Sequence, residues 1–151
     1  MTYLVLKLLH VLAVITWIGS VAALGMVTAR LIRAGDRATL ASLFPQTMAY
    51  GQRVVGPSSI LVLLTGIGMV IAGKLPWGAF WISWGFAGIL AHFIFGFTIM
   101  RKRSMAFAQL AAKPGNDAEF AAAGARLRIA NLIYVLIMIS VIAAMVLKPT
   151  L

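Results

Sequence analysis

The sequence predicts an all-α integral membrane protein, a four-helix antiparallel bundle with both termini outside the cytoplasm. Three observations predict this fold: a hydrophobic share of 62% with only 11% charged residues, long uncharged apolar stretches, and basic residues gathered between those stretches. A soluble domain has about 25% charged residues, and so few charges could not cover its surface. The apolar content also excludes intrinsic disorder, and the absence of cysteine excludes a disulfide scaffold and thiolate metal sites.

The apolar stretches define the predicted transmembrane spans of a single domain, residues 1–151. Each is near or above the roughly 20 residues that a helix needs to cross about 30 Å of hydrocarbon. They do not alternate in polarity, and they are too long for the strands of a membrane barrel. The sequence therefore predicts four membrane-spanning helices, at about 4–30, 54–73, 77–100 and 127–148.

The basic residues predict the orientation of the spans. Ten of the thirteen Lys and Arg residues lie between spans one and two or between spans three and four, whereas Lys7, Lys74 and Lys148 lie on the other side. By the positive-inside rule, the two long loops face the cytoplasm, here of a bacterial inner membrane. The net charge of +10 is therefore interpreted as a topology signal and a contact with anionic lipid headgroups, and not as nucleic-acid binding. A homo-oligomer and a membrane redox partner are further expectations.

The two cytoplasmic loops carry recognisable local signals. Asp36 precedes Leu40, Leu43 and Phe44, which fall at helical spacing, and this pattern predicts a short interfacial helix capped by Asp36. In the other loop, the run from Lys113 to Asp117 is typical of a turn between spans three and four.

Few residues inside the spans could carry chemistry. Asp and Glu are absent from them, which disfavours a proton-driven carrier and excludes a hydrolase built on paired carboxylates. No phosphate-binding loop or nucleophile motif occurs, so the catalytic residues, if any, are unknown. The ionisable residues left inside the membrane are His10 and His92, and such residues are candidate functional sites.

The two histidines are predicted to lie in different layers. Counting about 1.5 Å per residue from the outer helix ends, His10 lies about 10 Å deep and His92 about 21 Å deep. A haem held between both histidines would need them at similar depth. The layer of His10 also contains Lys7, Gly66 and Gly85, and the two glycines leave space either for a planar cofactor or for close helix packing.

The layer of His92 is predicted to be structural. Its polar members are His92, Ser59, Tyr134 and Asn131, with Trp17 on the first helix at the same level. Hydrogen bonds among such groups would satisfy them in hydrocarbon. The alternative, in which His92 is a metal ligand, is the less favoured interpretation.

Several segments together resemble the HemJ-type protoporphyrinogen oxidases and related CopD-like membrane domains. The similar segments extend over nearly the whole chain: 6–12 (LKLLHVL), 16–19 (TWIG), Pro57 with 60–66 (ILVLLTG), Asn131, and 146–149 (VLKP). In the oxidases the histidine that matches His10 is implicated in haem binding. The resemblance therefore implies a four-helix fold and a b-type haem or porphyrin pocket around His10. The other candidate cofactor-binding residues are Lys7, Gly66, Gly85 and Trp17.

Two positions depart from the oxidase pattern. Gly85 stands where the oxidases have a lysine, and Leu132 stands where they usually have an acidic residue. We therefore expect a sister family without protoporphyrinogen oxidase chemistry. The leading hypothesis is redox or haem handling with His10 as the iron ligand. The alternative is a membrane subunit or small transporter without a cofactor, copper handling included.

Overall fold

The computed structural model describes residues 1–113 and 115–149. Within these residues the chain forms four long helices and no strand, which confirms the predicted all-α, four-helix membrane fold. Each helix is long and apolar enough to cross a membrane. We number them α1 (Thr2–Ala34), α2 (Arg37–Ala72), α3 (Phe80–Ala111) and α4 (Asp117–Leu147).

The helices pack in a ring in chain order. α1 packs most extensively on α2, α3 packs on α4, and α4 closes the ring against α1. Among the described residues the diagonal pairs, α1 with α3 and α2 with α4, make no close backbone contact. We call the end with residues 35–36, 112–113 and 115–116 the basic end, and the opposite end, with Met1 and Lys148, the terminal end.

A tight turn joins α1 to α2. Gly35 ends α1 with a φ of 67°, in the left-handed region that favours glycine. The Asp36 carboxylate then accepts the backbone N–H of Thr39 at 3.0 Å and caps α2, as predicted for this residue. The prediction of a separate interfacial helix is wrong, because the helix that Asp36 caps continues without a break to Ala72.

Acid is expected to weaken this turn. Hydrogen bonds from Thr39 hold the pKa of the Asp36 carboxyl below its usual value. A carboxyl with a lowered pKa stabilises the fold above its unfolded pKa, and that contribution is lost as the pH falls through the folded value. We expect the melting temperature to decrease below about pH 4. Asp36→Asn keeps a capping oxygen without titrating, so it should show a shallower decrease; an identical acid slope would contradict this role.

The turn between α3 and α4 is the one predicted at residues 113–117, although Pro114 lies outside the described residues, as do Thr150 and Leu151. Gly115 and Asn116 have φ values of 88° and 59°. The Arg37 guanidinium donates to carbonyl oxygens of this turn and pairs with Asp117 at 2.7 Å. Arg37 therefore joins the start of α2 to the turn that follows α3.

The buried side chains form two clusters at different heights in the bundle. The cluster at the basic end consists of Ile32, Leu40, Phe44, Phe107, Ala111, Phe120 and Leu127. The cluster nearer the middle of the bundle consists of Trp17, Ile89, Tyr134 and Met138. The space between the two clusters holds the candidate site.

α2 and α3 each contain one π-helical turn, at Gly51–Val55 and Phe95–Met100. In α2 the wide turn precedes Pro57, which has no N–H and whose ring would clash with a regular helical carbonyl. At about 1.5 Å per residue from Ala72 and Phe80, the two turns begin about 26 Å and about 23 Å below the terminal end. They therefore lie at one level on neighbouring helices, and such turns are frequent at functional sites.

Candidate functional site

His10 connects α1 to α2. Its Nδ1 lies 3.0 Å from Oγ1 of Thr65, whose hydroxyl donates to the carbonyl oxygen of Leu61 at 2.6 Å. Because the Thr65 proton is used in that bond, the His10 Nδ1–H is assigned as the donor to Thr65. Nε2 of His10 is then the nitrogen with a free lone pair, as in a metal-ligating histidine.

The residues predicted around His10 only partly gather there. Gly66 does, since a Cβ at this position would lie 3.4 Å from the His10 ring. Gly85 does not: it lies against the Met145 side chain of α4, because α3 is diagonal to α1. Trp17 is buried in the other layer, and Lys7 is exposed one turn from His10. The prediction that Gly85 lies in the layer of His10 is therefore wrong, whereas Trp17 lies with His92, as its depth along α1 predicts.

In the second layer, Trp17, His92 and Tyr134 are in contact. Trp17 Nε1 donates to the Tyr134 hydroxyl at 3.2 Å, and that hydroxyl is hydrogen-bonded to His92 Nδ1. The Trp17 and His92 rings meet edge to face, with centroids 4.4 Å apart. The Tyr134 hydroxyl of α4 therefore joins Trp17 of α1 to His92 of α3 through two hydrogen bonds.

Ser59 and Asn131 lie apart from this contact. Ser59 is fully buried, and its hydroxyl donates to the Gly56 carbonyl within its own helix at 2.7 Å. Asn131 packs against Gly25 of α1, where any side chain would collide with the Asn131 amide. No hydrogen bond to the Asn131 side chain occurs among the described residues. Asn131 also lines a large cavity, so its amide groups are free to meet a ligand there.

A cavity of about 530 Å³ lies between the two buried clusters and is lined by all four helices. This volume falls in the range of about 300–1,000 Å³ that is typical of small-molecule sites. Most of its wall is apolar. The polar and charged lining residues are Thr28, Thr47, Gln52, Ser59, His92, Arg101, Ser104, Arg128, Asn131 and Tyr134.

The two ends of the cavity differ in charge: its deep end is lined by uncharged polar side chains and its basic end by arginines. His92 and Tyr134 lie at its deep end, about 18 Å and about 20 Å from the terminal ends of their helices. Arg101 and Arg128 lie about 32 Å and about 29 Å from those ends, at the edge of the hydrocarbon. No Asp or Glu lines the cavity, so its potential is positive at the basic end.

Sequence reasoning did not find this cavity. Two signals in the sequence point to it: glycines that face the same space from neighbouring helices, Gly51 and Gly56 on α2 and Gly96 on α3, and the proline that follows the π-helical turn of α2. A group of three or more His, Asp or Glu that could hold a metal ion is not found in residues 1–113 and 115–149.

The fold and the cavity define a class: an integral membrane four-helix protein with a binding-site-sized cavity inside the bundle. A family of predicted integral membrane proteins, DUF2269, matches residues 4–149, and the chain belongs to this family. No curated protein and no solved structure matches the chain. Membership confirms the predicted membrane character, whereas the finer relation to the HemJ-type and CopD-like proteins stays a proposal.

Proposed function

We propose that this protein binds an amphiphilic small molecule with an acidic group inside the four-helix cavity. The acidic group lies between Arg101 and Arg128, and the apolar part extends toward His92 and Tyr134. The observation that carries this proposal is the composition of the lining, an apolar chamber with two arginines at one end and no acidic residue. In this function the protein is a membrane-embedded carrier or binding subunit, which corresponds to the alternative hypothesis from the sequence and not to the leading one.

The apolar walls favour a ligand that is mostly hydrocarbon. Phe44, Phe93 and Met100 contribute large apolar side chains, and transfer of apolar ligand surface from water contributes about 25 cal/mol per Å². Asn131 adds a polar amide to the apolar wall, with both a donor and an acceptor that a ligand can use. A ligand oxygen near Asn131 would satisfy that amide.

The arginines favour an anion. A guanidinium donates paired hydrogen bonds to carboxylate or phosphate oxygens, and such charge-assisted bonds contribute about 1.5–3 kcal/mol each. Arg101 and Arg128 have no hydrogen-bond partner among the described residues, and neighbouring Lys102 and Arg126 do not line the cavity. Arg101 and Arg128 therefore differ from Lys102 and Arg126 in lining the cavity. Substitutions of Lys102 and Arg126 are thus matched controls.

Removal of the two arginines is expected to abolish anion-dependent binding. With the protein in a neutral detergent, dodecyl phosphate should raise the melting temperature of the wild type. Each of Arg101→Gln and Arg128→Gln should weaken the affinity by about tenfold or more, since 1.4 kcal/mol corresponds to tenfold. Lys102→Gln and Arg126→Gln remove the same charge outside the cavity and should respond like the wild type. Equal responses of all four variants would refute the proposal.

A b-type haem or porphyrin held by His10 is a second candidate, and one observation favours it. The His10 proton is assigned to Nδ1, which leaves Nε2 as a donor atom for iron. His92 differs from His10 in its surroundings, since its Nδ1 is hydrogen-bonded to the Tyr134 hydroxyl and its ring packs against Trp17. The surrounding residues fit less well, because the His10 ring itself occupies the space beside Gly66, so a porphyrin would require α1 and α2 to separate. The HemJ-like relation belongs to this candidate.

The haem candidate predicts a coloured protein. From haem-replete cells, the wild type should show a Soret absorption band that is lost in His10→Ala and retained in His92→Asn. Loss of the band in His92→Asn instead would transfer the ligand role to His92. A colourless, folded wild type would eliminate this candidate, while the amphiphile proposal would be unaffected.

The membrane orientation is part of the proposed function. With the basic end in the cytoplasm and both termini outside, as the positive-inside rule predicts, the acidic group of the ligand would lie at the cytoplasmic surface of a bacterial inner membrane. The exposed basic residues at the basic end would contact anionic lipid headgroups.

A further inference from the structure

The cavity has an opening at the depth of the lipid chains. Ile60 of α2 lines the cavity and is 51% exposed, so the cavity is not covered by other side chains at this position. It lies about 18 Å from the terminal end of α2, well inside about 30 Å of hydrocarbon. The surface that Ile60 presents therefore faces lipid chains rather than water.

The opening lies on the side of α2 that faces α3. Thr65 and Gly66 contact His10 of α1, and they mark the face of α2 that packs on α1. At 3.6 residues per turn, Ile60 lies about 140° from Thr65 in one direction and about 120° from Gly66 in the other, so it is on the face of α2 that is turned away from α1. Phe93 of α3 also lines the cavity and lies at about 20 Å, which is the level of Ile60.

The packing between α2 and α3 agrees with an opening there. α1 and α2 pack closely along their length, whereas α2 and α3 contact each other only sparsely in the half nearer the terminal end. The π-helical turns, Gly51–Val55 and Phe95–Met100, lie on these same two helices just below Ile60 and Phe93. The sparse packing and the two π-helical turns therefore occur on the same pair of helices beside the cavity.

We propose that the cavity is loaded sideways from the bilayer, between α2 and α3, and that its ligand is an anionic membrane lipid; this rests on the proposed function. The charge and depth of the site fit a lipid of one leaflet. The two arginines lie at headgroup level, and Tyr134 at the deep end lies about 10 Å further into the membrane. A lipid at rest in the leaflet already has its phosphate and its chains at these depths, so it enters by lateral movement alone.

The chain contains no cysteine, so a single cysteine can be introduced and modified after folding. Ile60→Cys coupled to a bulky membrane-permeant maleimide should obstruct the opening. Leu64→Cys is the matched control: it lies one turn away on α2, is 60% exposed and does not line the cavity. Both variants are reconstituted in vesicles containing phosphatidylglycerol with a photoreactive acyl chain, and labelled cavity peptides are quantified by mass spectrometry.

We expect modification at Ile60→Cys to reduce labelling of cavity peptides at least fivefold, while modified Leu64→Cys is labelled like the wild type. Unchanged labelling after modification at Ile60→Cys would overturn the lateral entrance. If no cavity peptide is labelled in the wild type, the membrane lipid is overturned as the ligand. Dodecyl phosphate binding, measured separately in detergent, separates both of these failures from a failure of the proposed function.

Discussion

Arg37→Gln is expected to destabilise the protein by about 2–3 kcal/mol, a large effect for a residue outside the transmembrane spans. The Arg37 side chain is 20% exposed and donates to the carbonyl oxygens of Lys113 and Gly115 at 2.9 and 3.0 Å. It also lies 4.2 Å above the Phe120 ring. Charge-assisted hydrogen bonds contribute about 1.5–3 kcal/mol and a cation–π contact about 0.5–1 kcal/mol, so several of these are lost together.

The ion pair with Asp117 accounts for little of this effect, because Asp117 is 94% exposed and surface pairs contribute about 0–1 kcal/mol. Asp117→Asn should therefore change the stability far less than Arg37→Gln. Arg30→Gln is the charge-matched control, since Arg30 is exposed and has no hydrogen-bond partner among the described residues. Thermal unfolding in detergent measures all three; an Arg37→Gln protein as stable as Arg30→Gln would refute the role of Arg37.

Gly96→Phe is expected to abolish ligand binding by filling the cavity. Gly96 lies in the π-helical turn of α3 and lines the cavity, and a Cβ there would meet nothing closer than the His92 ring at 4.0 Å. A phenylalanine side chain can therefore enter the cavity without a backbone clash. A ligand forced into the same space would meet an overpacking cost of about 1–3 kcal/mol, which corresponds to roughly tenfold or more in affinity.

Gly19→Phe provides the control for the added side chain. Gly19 is exposed on α1, and nothing lies within 4 Å of a Cβ at this position. The variant should bind dodecyl phosphate like the wild type, whereas Gly96→Phe should lose the dodecyl phosphate-dependent rise in melting temperature. Equal responses of the two variants would mean that the ligand does not occupy the cavity.

The fold could be predicted from the sequence because each helix is specified by the residues of its own segment. A long uncharged apolar run has few alternatives to a membrane helix, and Gly35 and Asp36 specify the end of α1 and the start of α2 by their own backbone and side-chain chemistry. The prediction of a separate interfacial helix is wrong because Pro45, directly after Phe44, indicates the end of a helix but does not end this one. Pro45 lies inside the continuous α2 in the structure.

The site could be predicted only in part. The depth of a residue follows from its position along its own helix, whereas the residue that faces it depends on which helix packs there. Depth correctly grouped Trp17, His92 and Tyr134 in one layer. It could not show that Gly85 faces Met145 on α4 instead of His10, since this depends on the order of helices in the ring. The cavity forms where small residues and π-helical turns from several helices meet. The sequence of one span does not show which residues of the other spans it meets.

The most direct test of the binding cavity is to identify what remains bound to the purified protein. Wild type and Gly96→Phe are purified in a neutral detergent, exposed to vesicles containing phosphatidylglycerol, repurified, and analysed by native mass spectrometry and organic extraction. We expect about one acidic amphiphile per wild-type chain and a strongly reduced amount in Gly96→Phe. A wild type that acquires no acidic amphiphile, or a Gly96→Phe variant that retains the same amount, would contradict the account.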